Sequence, residues 1–442
     1  MRHGAAHHDG GRAALGAEAP RAEATLRHAF AFDASACTGC KACQVACKDK
    51  NTLPEGVLWR RVYEVSGGTW ERRGAAWTNS VFAYNVSVAC NHCADPACAA
   101  ACPTGAYAIR DDGIVWLDAK KCVGCEYCAW VCPYSAPQYS PELGRTTKCD
   151  FCRDLIDAGL PPACVAACPM RALEVVEGAP ALGPAAAAPP GTRALWEAPA
   201  IEHPFPLPAV SRTQPLLRVK PHPAMATGEP KAVANYEEVR RWDRRGQRPG
   251  ARGQRPALNE LPLVAFTLLG QAAAGLAVIS LFTQPLSGPI LATLAALIAA
   301  AALLSLLHLG TALGAWRAPA NAKRSALSRE IWMLGLFAAA LVVALFLPRP
   351  GHVALALCGV ALVESMTRVY QVDVVPGWKT WRTRAAFAAS ALLLGSVATL
   401  ATRLPALGPV ATLIVVGASL ALIAQQWSMR RRFYLRLSQK VM

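Results

Sequence analysis

The placement of cysteines constrains this chain more than any other feature of its sequence. Sixteen of the seventeen cysteines lie between Cys37 and Cys168, in four groups of four. The first and third groups are spaced Cys-x2-Cys-x2-Cys-x3-Cys, the second Cys-x2-Cys-x4-Cys-x3-Cys, and the fourth Cys-x2-Cys-x11-Cys-x3-Cys. A proline directly follows the last cysteine in three groups, at Pro103, Pro133 and Pro169. The fold must therefore gather these thiols into sets.

Thiolates at this spacing are typical ligands of iron-sulfur cubanes. Three closely spaced cysteines bind three corners of one 4Fe-4S cluster, and the fourth binds the neighbouring cluster, as in two-cluster ferredoxins. Groups two and three are nineteen residues apart and pair with each other, which leaves groups one and four to pair across them. The sequence therefore predicts four 4Fe-4S clusters. The predicted ligand sets are Cys37, Cys40, Cys43 with Cys168; Cys47 with Cys149, Cys152, Cys164; Cys90, Cys93, Cys98 with Cys132; and Cys102 with Cys122, Cys125, Cys128.

Structural zinc and disulfide bonds are the alternative uses of so many cysteines. Zinc sites use separated Cys-x2-Cys pairs and do not need a third cysteine followed by x3-Cys-Pro. A disulfide scaffold needs an oxidising compartment, but residues 1–29 have no apolar core and no twin arginine. The pattern disfavours both alternatives, and we interpret residues 1–29 as a disordered leader.

Domain organisation follows from the changes in composition along the chain. Residues 30–177 contain the cysteines between short strands and turns, with a first strand near 30–32 and a hairpin at 106–117 around Asp111-Asp112-Gly113. Residues 178–260, rich in Pro, Ala, Gly and Arg, predict a tail and linker, and residues 261–442 predict a membrane anchor. The predicted fold is an α+β ferredoxin-like domain with two pseudo-symmetric two-cluster units, followed by an all-α transmembrane bundle of about six helices.

Six apolar runs are long enough to span a bilayer, at about 263–283, 289–313, 330–347, 352–371, 385–402 and 407–427. A net charge of +16 is also typical of nucleic-acid binding, but here the basic residues flank apolar runs, so we expect no nucleic-acid partner. Twenty-one Lys and Arg lie on one side of the bundle, and only Arg349 and Arg403 lie on the other. This bias predicts an inner-membrane protein with the cluster domain and both termini on the cytoplasmic side.

A few ionisable residues near the membrane spans are candidates for quinone chemistry. His308 ends the second run and Glu330 begins the third, while Glu364 and Arg368 lie four residues apart near the end of the fourth. A His and a Glu beside a cluster supply a hydrogen-bond partner and a proton acceptor for quinol. The alternative for His308 is a purely structural histidine at the membrane interface. The alternative for Glu364 and Arg368 is a purely structural ion pair. We expect no haem, because His308 and His352, the histidines in the spans, lie near opposite faces.

These motifs resemble two subunits of the dimethyl sulfoxide reductase family of molybdoenzymes. Residues 30–173 are similar to its iron-sulfur subunit, with Cys-Thr-Gly-Cys-Lys-Ala-Cys at 37–43 and Thr-Lys-Cys-Asp at 147–150. Residues 260 to about 395 are similar to its membrane anchor, with His-Leu-Gly at 308–310 and Leu-Ser-Arg-Glu at 327–330. The sequence thus resembles a fusion of the two.

The resemblance implies a catalytic molybdopterin subunit as partner, a lipid membrane, and menaquinone or ubiquinone as the exchangeable partner. It implies that the Cys37 set lies nearest to molybdenum, that the Cys102 set lies nearest to the membrane, and that His308 and Glu330 form the quinol site. The family's arginine after this histidine falls on Gly314, which leaves Arg317 as a displaced candidate. The family usually has eight spans, whereas this sequence predicts six.

The expected function is electron transfer between the catalytic subunit and quinone, with the catalysis itself in the partner. The cytoplasmic orientation favours sulfite oxidation, as in the family's cytoplasmic sulfite dehydrogenase complexes, and reduction of dimethyl sulfoxide or other S- and N-oxides is the equal alternative. A polysulfide-type or hydrogenase-type complex would keep the relay and change the partner. A cluster-bearing sensor or scaffold is disfavoured, because sixteen ligands for four clusters form a complete set.

Overall fold

The computed structural model describes residues 27–179, 207, 213–226, 261–283, 286–373 and 378–402, together with residues 424, 425, 427 and 428. Their N-terminal part combines short strands with small helices, and their C-terminal part consists of long apolar helices. The predicted order of an α+β iron-sulfur domain followed by a helical membrane region is therefore confirmed. Most of the predicted leader 1–29 and of the sixth apolar run lies outside the described residues.

The α+β part has eleven strands and six short helices in the described residues. β1 lies at the centre of a three-stranded sheet, antiparallel to β10 and parallel to β11, and the other strands form the antiparallel pairs β2–β5, β3–β4, β6–β7 and β8–β9. The strands are β1 Arg27–Asp33, β2 Arg61–Gly67, β3 Trp70–Arg73, β4 Ala76–Asn79, β5 Phe82–Val88, β6 Tyr107–Ile109, β7 Val115–Leu117, β8 Gln138–Ser140, β9 Arg145–Thr147, β10 Leu173–Ala179 and β11 Leu217–Lys220. The helices are α1 Ala42–Lys50, α2 Ala97–Ala101, α3 Tyr127–Val131, α4 Arg153–Asp157, α5 Ala163–Ala166 and α6 Pro223–Ala226.

Two local predictions are confirmed. The first strand covers residues 30–32, and the predicted hairpin is the β6–β7 pair, in which Tyr107 lies opposite Leu117 and Ile109 lies opposite Val115. Gly113 has a φ of 83° in the connecting turn, a backbone conformation that glycine adopts without steric cost.

The predicted tail and linker, residues 178–260, is only partly a connector, and this corrects the prediction. Residues 217–220 form β11, which pairs in parallel with β1 from Phe30 opposite Leu217 to Asp33 opposite Lys220. Leu216 is also fully buried. This segment completes the central sheet because its apolar residues cover the edge of β1. Four strand residues within a Pro-rich stretch carry too little periodicity to be recognised from the sequence.

The first and third cysteine groups share one local backbone conformation. Gly39 and Lys41 have φ values of 71° and 62°, and Gly124 and Glu126 have values of 69° and 60°. Each left-handed pair lies around the second cysteine of its group and precedes a short helix, α1 or α3. The matching turns support the expected pseudo-symmetry of two two-cluster units.

Five long helices in the described residues are long and apolar enough to cross a membrane. They are α7 Leu261–Thr283, α8 Gly288–Leu307, α9 Ala326–Phe346, α10 Pro348–Tyr370 and α11 Trp381–Ala401. The second run, predicted to reach residue 313, ends as a helix at Leu307, and the polypeptide continues as a 3-10 helix, Ala312–Asn321. This connector turns the polypeptide toward the cluster domain.

The α+β part has its own apolar core, and one edge of it also packs into the apolar core of the long helices. Tyr127 and Trp130 of α3 are buried in the same cluster of side chains as Phe266 of α7 and Val369 of α10. The hydroxyl of Tyr127 also donates to the carbonyl oxygen of Val369, at 3.3 Å. Helix α3, which lies beside the third cysteine group, is therefore seated directly on the membrane helices.

Candidate functional site: cluster sites and an interface cavity

The structure brings members of each predicted ligand set near one another. Two sets each line a cavity of about 20 Å³, namely Cys37, Cys40, Cys43 with Cys168, and Cys90, Cys93, Cys98 with Cys132. The members of the other two sets also lie within electrostatic range of one another, although cysteines of neighbouring sets do so too; these sets are Cys47 with Cys149, Cys152 and Cys164, and Cys102 with Cys122, Cys125 and Cys128. The role of these residues as ligands stays a prediction, with a geometry that fits it.

The chemistry of the sets also fits clusters. None of the seventeen cysteines forms a disulfide bond. Burial raises the pKa of both Cys47 and Cys125 to about 12, so these thiols become thiolates only where a positive centre such as iron stabilises the charge. Backbone N–H groups already point at the sulfur atoms: Ala106 donates to Cys102 Sγ at 3.3 Å and Phe151 to Cys149 Sγ at 3.4 Å. Within the described residues, no group of three His, Cys, Asp or Glu is arranged for a single metal ion.

The end of the 3-10 helix binds the backbone of the Cys102 turn. Asn321 Nδ2 donates to the carbonyl oxygen of Cys102 at 2.8 Å, and the backbone N–H of Asn321 donates to that of Pro103 at 3.1 Å. Ser325 Oγ donates to the carbonyl oxygen of Ala101 at 2.7 Å. Three consecutive carbonyl groups beside a predicted cluster ligand are thus held by the membrane part of the protein.

The beginning of the connector binds the other half of the same cluster site. The backbone N–H of Thr311 donates to the carbonyl oxygen of Val123 at 3.2 Å, and its Oγ1 donates to that of Cys122 at 3.3 Å. Gly310 approaches the turn of β8–β9 so closely that a Cβ atom on it would lie 2.0 Å from the carbonyl oxygen of Gly144. Backbone meets backbone here, which leaves no room for a side chain.

A cavity lies at the junction between this cluster site and the membrane helices. It measures about 10 Å³ and is lined by Cys125, Tyr127, His308 and Glu330 together with mostly apolar side chains of α3, α7, α9 and α10. His308 ends α8 and is 8% exposed, and Glu330 in the second turn of α9 is 2% exposed. The two residues predicted to bind quinol are therefore brought together, next to a predicted cluster ligand.

Glu330 is an unusual residue for this position. Its carboxyl group is fully enclosed, and no charged partner acts on it in the described part of the protein. A buried carboxyl group without a counter-ion is costly, and such groups at membrane depth usually have a function. Burial, together with the charge of Glu330, raises the pKa of Tyr127 well above its ordinary value, so this hydroxyl remains protonated.

Sequence reasoning missed three residues of the cavity wall. Tyr127 lies inside the third cysteine motif, where only the cysteines were informative. Thr267 of α7 and Tyr370 of α10 also line the cavity, with 3.0 Å between their hydroxyl oxygens. Thr267 donates to the carbonyl oxygen of Leu263, so Tyr370 donates to Thr267. Only their position near helix ends could have indicated them.

The other predicted quinone residues do not reach this cavity. Arg317 lies on the connector, where its Nη1 donates to the carbonyl oxygen of Lys120 at 2.5 Å. Glu364 accepts from Arg368 Nε at 3.0 Å and lies 3.9 Å from Arg384 Nη2. These residues stay predictions, and the structure gives them other neighbours.

Glu364 and Arg384 instead line a second cavity, of about 450 Å³, between α7, α10 and α11. The other lining residues are mostly small, including Ala274, Gly275 and Ala388. This second cavity, called the groove below, and the interface cavity are lined by different residues. Substitutions of Glu364 and Glu330 can therefore test the two cavities separately.

Comparison with known proteins agrees with both halves of this structure. A 4Fe-4S dicluster domain matches residues 81–178, and the DMSO reductase anchor subunit matches residues 255–425. The protein is 50% identical over 150 residues to YnfG of Escherichia coli K12, a probable anaerobic dimethyl sulfoxide reductase subunit, and 49% identical over 150 residues to the B subunit of anaerobic dimethyl sulfoxide reductase from the same strain. Each alignment covers 34% of this protein and 73% of the relative.

A further relative is the thiosulfate reductase electron transfer subunit PhsB of Salmonella typhi, 40% identical over 151 residues, which are 34% of this protein and 76% of the relative. The thiol sets, the apolar helices and these matches lead to one conclusion. The protein belongs to the dimethyl sulfoxide reductase family, as an iron-sulfur electron-transfer subunit fused to its membrane anchor subunit.

Proposed function

We propose that this protein carries electrons between quinol in the membrane and a catalytic molybdopterin subunit, through four 4Fe-4S clusters bound by the sixteen cysteines. When bound, the clusters supply one-electron carriers. The observation that carries the proposal is the interface cavity, which is lined by Cys125 of the Cys102 set, His308 and Glu330.

Each residue of the cavity has a chemical task in this proposal. Quinol oxidation releases two protons and two electrons, so the site needs hydrogen-bond partners for the ring hydroxyls and a proton acceptor. The imidazole of His308 binds one hydroxyl, and the carboxylate of Glu330 accepts a proton from the other. Tyr127 separates the quinol from the solvent around the cluster domain, because it is buried and tied to α10. The two electrons leave toward Cys125, one proton passes to the carboxylate of Glu330, and the second passes to the imidazole of His308.

The described side chains leave space for about one water molecule in the cavity. A quinone ring is larger, so binding requires the wall to open. Leu263 and Phe266 of α7 and Leu327 of α9 form part of the apolar wall, and they belong to the membrane helices, from which a lipid-soluble ring would enter. Apolar side chains can change rotamer without breaking hydrogen bonds, which makes this side the natural entrance.

The test is Glu330→Gln in the complete protein, assayed by the rate at which a quinol analogue reduces the clusters, followed by their absorbance. General base catalysis contributes about 100- to 10,000-fold, so we expect the rate to fall at least tenfold while the iron content stays unchanged. Glu364→Gln tests the second groove as the quinol site. A normal rate in Glu330→Gln with a large loss in Glu364→Gln would move the quinol site to that groove.

The direction of electron flow and the nature of the partner are further parts of this proposal. YnfG, the B subunit of Escherichia coli and PhsB all have reductase names, which supports flow from quinol to a partner that reduces an S-oxide, an N-oxide or an inorganic sulfur compound. Purification of the complete complex, with identification of its large subunit and its molybdenum content, tests the partner directly. A complex without molybdenum would favour the hydrogenase-type alternative.

Sulfite oxidation is the second candidate, because the distribution of Lys and Arg, 21 against 2, favours a cytoplasmic cluster domain. Protease treatment of right-side-out and inside-out membrane vesicles tests this orientation. Cleavage of the cluster domain only in inside-out vesicles supports the cytoplasmic side and a cytoplasmic partner. Cleavage only in right-side-out vesicles would remove the basis for this candidate.

A further inference from the structure

Arg60 is a buried cation with no role in the relay described so far. Arg60 lies immediately before β2 and is 2% exposed. Its Nη1 donates to Ser87 Oγ at 3.2 Å, and its Cζ lies 4.6 Å from the ring centroid of Phe30. Its Nε and Nη2 have no hydrogen-bond partner within the described parts of the protein. A guanidinium group buried with so few partners is costly unless a negative charge lies nearby.

The nearby negative groups are predicted cluster ligands from two different sets. Cys43 belongs to the Cys37 set, and Ser87 Oγ, the partner of Arg60, lies 3.5 Å from Cys43 Sγ. Cys47, Cys149 and Cys164 belong to the Cys47 set. The backbone N–H of Arg60 is hydrogen-bonded to the sulfur of Cys47, and the positive charge of Arg60 acts on both Cys43 and Cys47. The guanidinium group therefore lies between two cluster sites.

Burial makes this charge effective. Solvent screens exposed charges strongly, whereas a charge in the interior acts over several ångströms with little screening. Arg60 remains protonated at every physiological pH, so it neither gives nor takes a proton. Reduction adds one electron and no proton to a cluster, which makes the site more negative by one charge. A fixed positive charge beside the site stabilises that reduced state more than the oxidised state.

We propose that Arg60 is a fixed counter-charge shared by the Cys37 and Cys47 cluster sites, and that it raises the reduction potentials of both clusters. This inference rests on the proposed electron relay and adds a residue that tunes the potentials of two of its clusters. Arg60 acts on electron transfer only through the clusters, by fixing a positive charge beside them, and it does not contact a substrate.

The experiment is a redox titration of the complete membrane-bound protein, followed by electron paramagnetic resonance, in Arg60→Met and Arg60→Lys variants. Signals are first assigned with single Cys→Ser variants of each set. For Arg60→Met we expect the reduction equilibria of the two adjacent clusters to weaken at least tenfold, which corresponds to about 59 mV for one electron. Arg60→Lys keeps the charge and is expected to keep both potentials near those of the unmodified protein.

Arg61→Met is the matched control, because Arg61 is the next residue and its Nη2 donates to the carbonyl oxygens of Tyr134 and Ser135 on another part of the domain. It should leave the potentials of the Cys37 and Cys47 clusters unchanged. Equal shifts at all four clusters, or none in Arg60→Met, would overturn the proposal. If Arg60→Met does not assemble its clusters, a large drop in potential in Arg60→Lys overturns it instead. Iron content and signal number are measured separately, so failure of the four-cluster relay is distinguishable from failure of this inference.

Discussion

Asn321 offers the sharpest test of how the membrane part supports a cluster site. Asn321→Leu keeps the approximate size of the side chain and removes the Nδ2 donor that binds the carbonyl oxygen of Cys102 at 2.8 Å. Loss of a partner for a buried carbonyl costs about 1–3 kcal/mol, and among the described residues the carbonyl of Cys102 keeps only a long second bond, from the N–H of Gly105 at 3.4 Å. Asn321 is half-buried, so water can replace part of the lost bond, and about 1–2 kcal/mol is the appropriate range.

This energy predicts a rate. If the bond is present in the loaded protein and lost when the Cys102 turn opens, the opening becomes about 5- to 30-fold more frequent, since about 1.4 kcal/mol is a factor of ten. We therefore expect a chelator to remove the Cys102 cluster about 5- to 30-fold faster in Asn321→Leu. Loss is followed by the decay of that cluster's electron paramagnetic resonance signal in the complete protein.

The sequence contains an internal control for this experiment. Asn51 Nδ2 donates to the carbonyl oxygen of Cys47 at 2.9 Å, the same type of bond at the fourth cysteine of another group. It lies entirely within the cluster domain. Asn51→Leu should accelerate loss of the Cys47 cluster by a similar factor and leave the Cys102 cluster unchanged. Equal acceleration at all four clusters in Asn321→Leu would refute the local argument and indicate general loosening of the domain.

Three other predictions follow from the interface and from the thiols. Gly310→Ala places a Cβ atom 2.0 Å from the carbonyl oxygen of Gly144. The contact between the membrane part and the cluster domain should therefore loosen, and quinol should reduce the clusters at least tenfold more slowly. Gly335→Ala, where a Cβ meets nothing within 4 Å, should reduce its clusters at the normal rate in the same assay. Tyr127→Phe keeps the ring and loses a hydrogen bond worth about 0.5–1.5 kcal/mol, so quinol-driven reduction should change by less than about tenfold, and a complete loss would show that the hydroxyl takes part in proton transfer. Burial raises the pKa of Cys47 to about 12, so protons compete with iron for the sulfur of Cys47 increasingly as pH falls. Chelator-driven loss of iron should therefore accelerate toward acidic pH. A rate of iron loss that is independent of pH would contradict this competition.

The proximity of the cysteines could be predicted because cluster ligation is a local constraint with a long-range consequence, while their assignment as ligands stays a prediction. A Cys-x2-Cys-x2-Cys turn fixes three ligands within a few residues, and the number of available fourth cysteines leaves few ways to complete the sets. The hairpin at Asp111-Asp112-Gly113 and the five long helices were also predictable, because turn residues and apolar length act locally. Each of these predictions depends on neighbours in sequence.

The cavity could be predicted only in part, since it depends on the rotation of helices relative to one another. Glu330 and Glu364 both lie toward the cluster end of their helices, and the sequence cannot tell which helix face meets the cluster domain. The structure turns Glu330 toward Cys125 and Glu364 toward the groove beside Arg384. Asn321 was not recognised because an amide in a basic loop carries no motif. Its role depends on the docking of two domains distant in sequence.

The proposed relay gains a specific geometry from the fusion of the two parts. Cys125 and Cys128 are predicted ligands of the Cys102 cluster, and Tyr127 between them lines the cavity with Glu330. In this proposal one short segment forms both the cluster site and part of the wall of the quinol site, so electrons leave toward a sulfur atom while one proton is held by Glu330. Because Tyr127 lines the cavity and also donates to α10, a ring bound in the cavity would contact the segment that carries two ligands of the cluster. Binding of quinol and the environment of that cluster are then coupled, and a quinol-site inhibitor should alter the resonance signal of the Cys102 cluster alone.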